Sequence, residues 1–227
     1  MALLFLLFLF CHEPKALKSP FPSQVEGLSI PNSHWLERGS KAEGSLLRGM
    51  APSGESQIPQ LKDLGVDSVL IFKRESRSEI TGAKGGIKIL ERLGFGYKYI
   101  SFLWKDLNYE ESCLQTLEEL SYLRKEVSRG RSVFLHCTGV LSGLYLILFD
   151  DWDIHRAFAE EMCEKGYAEG NLQKPSFVVR KIHESLTHFF YMMAKASQSG
   201  ELDEQSYSQF PAPTKTDLKI IESMKCR

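Results

Sequence analysis

The run SVFLHCTGVLSGLYLILF, from Ser132 to Phe149, decides the fold. Its first part, SVFLH, is a short apolar stretch that fits a strand covered on both faces and ending at His136. Its last part, VLSGLYLILF after Gly139, is apolar all round, so a helix here has protein on every side. Cys137, Thr138 and Gly139 stand between the two. A helix N-terminus offers unpaired N–H groups and the positive end of its dipole, which bind phosphate and lower the pKa of an adjacent thiol. The order strand, cysteine, glycine, helix therefore suits a thiolate held at an anion site. Taken alone, an inert core cysteine at a strand end is the simpler account.

Working outward, the alternation of helix and buried strand repeats. Pro52 and Ser53 open a short helix with Ile58, Leu61 and Leu64 on one face, and Gly65 stops it. VDSVLIF, Val66 to Phe72, is a buried strand. Ile87, Leu90 and Leu93 make a second helical stripe ended by Gly94, and YKYISF from Tyr97 to Phe102 alternates as a strand does. Asn108, with Glu111 placed for a capping box, starts a helix carrying Leu114, Leu117, Leu120, Leu123 and Val127 inward. Downstream, Asp153 caps a helix carrying Ile154, Phe158 and Met162, and Val178, Ile182, Leu186, Phe189 and Met193 line a long final one. This order predicts an α/β fold: a central, mostly parallel sheet flanked by helices, with ligands at the carboxyl ends of the strands.

The 227 residues suffice for one such domain, expected over 46–196, with an irregular lead-in over 25–45 and a polar tail over 197–227. The opening MALLFLLFLF is too short to cross a bilayer and resembles the core of an export signal, so residues 1–24 read as a leader. That implies an exported, periplasmic or secreted protein; without a signal the chain is cytoplasmic. A formal net charge of -1 provides no general attraction for nucleic acid, so any anion site is local. The five cysteines, at 11, 113, 137, 163 and 226, lack the spacing of a zinc site or a disulfide framework. Cys113 and Cys163 read as small buried hydrophobes. No metal or cofactor is expected.

From about Leu46 to Ala194 the chain resembles the cysteine-dependent phosphatases of the protein-tyrosine and dual-specificity type, a group that includes inositol-polyphosphate phosphatases. LLRGMAPSGE and LKDLGVDSVLIFKRE resemble the opening turn, helix and strand; LGFGYKYISFLWKD resembles the strand leading to the general-acid loop. VFLHCT resembles the start of the signature HC-x-x-G-x-x-R-[ST], and GVLSGLYLIL and WDIHRAFAEEMCEKGY resemble the two helices after it. The resemblance implies that Cys137 attacks phosphorus to give a cysteinyl-phosphate and that Asp106, 31 residues earlier, protonates the leaving oxygen. His136 would orient the cysteine, and Thr138 and Gly139 would belong to the phosphate loop. Asp151, Asp153 and Glu110 are weaker rivals as the acid. Lys73, Arg74 and Lys105 follow strand ends and form a candidate substrate rim, although charged loops are commonly no more than solvated surface.

One departure matters. The place of the signature arginine is taken by Gly143, and aligning Gly139 with the start of the family's helix leaves a segment of type x-G-x-x-R-[ST] absent after Thr138. Two residues cannot encircle three phosphate oxygens, and no guanidinium grips them. The expectation is a metal-independent phosphomonoesterase acting on phosphotyrosine, phosphoprotein or inositol phosphate if the loop is complete in the natural molecule. The alternative is a pseudophosphatase, a binding module that keeps the fold without turnover.

Overall fold

The computed structural model describes residues 23–39, 44–52, 55–72, 86–100, 109–136, 139–164, 177–198 and 213–224. Its strands are β1 (His34–Arg38), β2 (Ser45–Gly49), β3 (Ser68–Phe72), β4 (Gly96–Ile100) and β5 (Val133–His136). Its helices are α1 (Gln57–Asp63), α2 (Gly86–Arg92), α3 (Tyr109–Ser128), α4 (Gly139–Phe149), α5 (Ile154–Ala157), α6 (Phe177–Gln198) and α7 (Lys215–Ser223), with a π-helical segment, Phe158–Glu164, continuing α5.

The sheet order is β1-β2-β5-β3-β4. β2, β5, β3 and β4 run parallel, with Leu46 opposite Val133, Val133 opposite Ser68 and Ser68 opposite Gly96. The expected mostly parallel α/β sheet is therefore present. Side chains alternate between its faces, and the two hydrophobic cores divide accordingly. Leu46, Leu70, Val133 and Leu135 join α3, α4 and α6 in one core, whereas Leu47, Val69, Ile71 and Phe134 join α1, α2 and Phe95 in the other. α4 is buried at each position from Val140 to Ile147, as its all-round apolar sequence requires. α1 and α2 end before Gly65 (φ 77°) and Gly94 (φ 71°), a left-handed conformation that glycine adopts without a Cβ penalty.

Three parts of the fold differ from expectation. The lead-in is not wholly irregular: β1 lies within it as an antiparallel edge strand, His34 opposite Arg48, and Val25, Leu28 and Ile30 are core residues. HWLER has no sustained alternation because the strand carries a bulge between Trp35 and Glu37, which interrupts the two-residue period. The polar tail contains α7, started by a capping box in which Thr214 accepts from the Asp217 N–H and the Asp217 side chain accepts from the Thr214 N–H. The Asp217 side chain is 4% exposed and accepts from Lys195 Nζ at 2.8 Å and Tyr191 Oη at 3.1 Å, which docks α7 on α6. Cys163, expected as a free core thiol, is buried but disulfide-bonded. Among the described residues, no helix is long and apolar enough to cross a membrane.

Candidate active site

The parallel register aligns the carboxyl ends of four strands: Gly49 lies opposite His136 across β2 and β5, and Phe72 lies opposite Ile100 across β3 and β4. β5 ends at His136 and α4 begins at Gly139, with residues 137 and 138 between them in sequence. His136 is buried at the last position of β5. The first turn of α4 contains no acidic residue to neutralise its dipole, and Ser142 Oγ turns back to donate to the Gly139 carbonyl at 3.1 Å. Of the residues expected in the site, His136 and Gly139 are placed at this junction. Cys137, Thr138, Asp106, Lys73, Arg74 and Lys105 lie outside the described residues. In sequence Cys137 directly follows His136 and Lys73 directly follows β3. Of the rival acids, Asp153 is occupied as the N-cap of α5, accepting from the His155 and Arg156 N–H groups.

Next to the junction is a charged cluster that sequence reasoning missed. Arg48 (3% exposed), on β2, donates through Nη1 to Glu161 Oε2 and, at 3.2 Å, to the Glu161 backbone carbonyl. His34 Nε2, on β1, lies 3.2 Å and 3.3 Å from the two carboxylate oxygens of Glu161. Glu161 itself is fully buried. A charge taken out of water is stable only when paired and hydrogen-bonded, and the three groups meet that condition together. The same Glu161 carbonyl packs on the start of α4: a Cβ built on Gly139 would lie 2.3 Å from it and 3.3 Å from Met162 Cα. Only glycine permits so close an approach. Arg48 lies within LLRGMAPSGE, where nothing along the chain marks it as buried. Glu161 gave no signal, because an α-helical projection of residues 154–164 does not reveal the π-helical turn that accompanies its inward placement.

A second buried carboxyl lies away from the strand ends. Glu119 of α3 is 2% exposed, and burial raises its pKa to about 8 against the partial opposition of Lys98. Lys98 Nζ also sits 4.9 Å from the centroid of the Tyr122 ring.

No protein-family model and no curated protein sequence matches the chain. Solved structures do resemble it. TpbA of P. aeruginosa aligns at 19% identity over 78% of this chain and 98% of that one, with a TM-score of 0.46. A putative phosphatase from Shewanella putrefaciens aligns at 17% identity over 70% and 89%, with a TM-score of 0.44. The core catalytic domain of the PP-IP phosphatase SIW14 from S. cerevisiae aligns at 14% identity over 72% and 93%, with a TM-score of 0.42. At such identities the activities of these neighbours are their own.

Proposed function

We propose that this chain is a phosphatase of the cysteine-dependent kind, cleaving phosphomonoesters through a cysteinyl-phosphate on Cys137. The observation that carries the reading is the junction itself. A buried strand ends at His136, an apolar helix with no acid in its first turn begins at Gly139, and the cysteine stands between them. In this scheme the thiolate attacks phosphorus in line, the alkoxide or phenoxide leaves with a proton from Asp106, and Asp106 then takes a proton from the water that hydrolyses the cysteinyl-phosphate. His136 orients the cysteine, and Thr138, Gly139 and the N–H groups that open α4 face the phosphate oxygens. Lys73, Arg74 and Lys105, following the ends of β3 and β4, make a cationic rim suited to an inositol phosphate as well as to a phosphoprotein.

The second reading, a phosphate-binding or partner-binding module without turnover, is favoured by the two-residue connection and by the absence of an arginine from residues 138–143. Hydrolysis of p-nitrophenyl phosphate in the presence of EDTA separates the two. Turnover that vanishes in Cys137→Ser and falls steeply in Asp106→Asn supports the phosphatase. Turnover that survives Cys137→Ser refutes the nucleophile, and a wild-type chain that binds inorganic phosphate without turnover is the binding module. Inositol phosphate hydrolysis unchanged by Arg74→Ala and Lys105→Ala would remove the rim. If the N-terminal apolar run is cleaved as a leader, this chemistry takes place outside the cytoplasm.

A further inference from the structure

We propose that the buried carboxyl of Glu119 is a proton-controlled latch between α3 and β4: uncharged, it lets the middle of α3 lie against the sheet, and once ionised it releases that stretch locally while the rest of the fold stays closed. Three observations place it. Glu119 is 2% exposed, and its Oε2 has no hydrogen-bond partner among the described residues. Lys98 of β4, the cation that acts on it, holds its Nζ 4.9 Å from the centroid of the Tyr122 ring, one turn further along α3. β4 stands at the end of the sheet order and pairs with β3, whereas β5 has β2 on one side and β3 on the other. A carboxylate without a bonded partner is costly to bury, so the closed arrangement keeps the acid form. When the proton leaves to solvent the charge needs water, and water enters most easily where α3 parts from a strand held on one side.

Burial pushes the Glu119 pKa up to about 8; Lys98 opposes this in part, and Glu118 on the same helix adds to it. From the other elements on this side, β3 turns the uncharged Ser68 toward Tyr122, and β5 contributes the apolar Val133 and Leu135. Arg48 of β2 bonds Glu161, Tyr145 of α4 bonds Glu37, and Glu126 and Arg131 act on Tyr122. Opening frees a carboxyl of ordinary pKa 4.5, so between that value and about 8 the open form has released a proton that the closed form keeps. The open fraction therefore rises about tenfold per pH unit across this window. In sequence β4 and α3 stand on either side of residues 101–108, so their parting would act on the stretch that contains Asp106. The opening itself does not depend on the phosphatase reading.

The test is hydrogen exchange followed by mass spectrometry on the full-length chain, wild type against Glu119→Gln, at pH 5, 6 and 7, with and without about 1 M urea. Gln keeps the shape of the uncharged carboxyl and titrates in neither form, and comparison at equal pH cancels the intrinsic pH dependence of exchange. In peptides from β4 and the middle of α3, the ratio of wild-type to Glu119→Gln exchange rates is expected to rise about tenfold per pH unit. Exchange there should respond little to urea, because a local opening exposes little surface, whereas β5 should exchange more slowly and quicken with urea. A ratio that stays flat from pH 5 to 7 overturns the proposal. So does exchange in β4 and α3 that matches β5 in rate and urea response, since Glu119 would then be coupled to global unfolding alone. If Glu119→Gln does not fold, the wild type decides: exchange in β4 and α3 that rises with pH no faster than intrinsic exchange overturns the latch.

Discussion

Replacing Glu119 by Gln removes a carboxyl that the fold keeps protonated, and the consequence for stability can be worked from its surroundings. The side chain is 2% exposed, Thr116 one turn earlier is 2% exposed, and the opposing cation, Lys98, does not offset the desolvation. Glu118 adds repulsion. The pKa rises from an ordinary 4.5 to about 8, so between those values the folded chain binds a proton that the unfolded chain has released. The sign follows: stability from this group is complete below pH 4.5 and declines as pH rises toward 8, by roughly 1.4 kcal/mol per pH unit. The ceiling is about 5 kcal/mol, a large share of the roughly 5–15 kcal/mol that holds a domain together. Gln mimics the protonated form and titrates in neither state. Urea unfolding of both proteins at pH 5, 6, 7 and 8 should therefore show Glu119→Gln close to wild type at pH 5 and increasingly more stable above it. All other titrations cancel in the difference, so a difference flat across this range would refute the reasoning.

Further outcomes are expected elsewhere. The bonds from Lys195, Thr214 and Tyr191 hold the Asp217 carboxyl well below the usual carboxylate range, so the docking of α7 should persist at neutral pH and fail as pH falls through the acid range. Limited proteolysis of the C-terminal segment at pH 7 should accelerate in Asp217→Asn, and Thr214→Ala should cost about 1 kcal/mol in urea unfolding through loss of the cap. Equal cleavage rates would show that Asp217 does not hold the helix. Gly143→Ala would put a methyl 2.7 Å from Phe190 Cε2, and thermal unfolding should register a loss of about 1–3 kcal/mol from overpacking between α4 and α6. Arg156 lies 3.6 Å from the centroid of the Trp152 ring and bonds Glu160 at 3.0 Å, both at the surface, so Arg156→Ala should cost less than about 1 kcal/mol.

The parts of the fold that announce themselves in the sequence are those whose physics is local. A strand buried on both faces must be apolar along its length, and VLIF and VFL are; a helix surrounded by protein must be apolar all round, and VLSGLYLILF is. Gly65 and Gly94 mark helix ends because the left-handed backbone there favours a residue without Cβ. The strand ending at His136 and the helix beginning at Gly139 could be read for the same reason, each being contiguous in sequence. Tertiary structure decided the rest. HWLER carries no clear strand signal, and it becomes the edge of the sheet only because β2 offers it a partner. Arg48 and Glu161 are 113 residues apart and look like two ordinary charges until a π-helical turn and a strand end bring them together. A buried ion pair depends on who stands opposite, and that is settled by the packing of distant segments rather than by the neighbours of either residue along the chain.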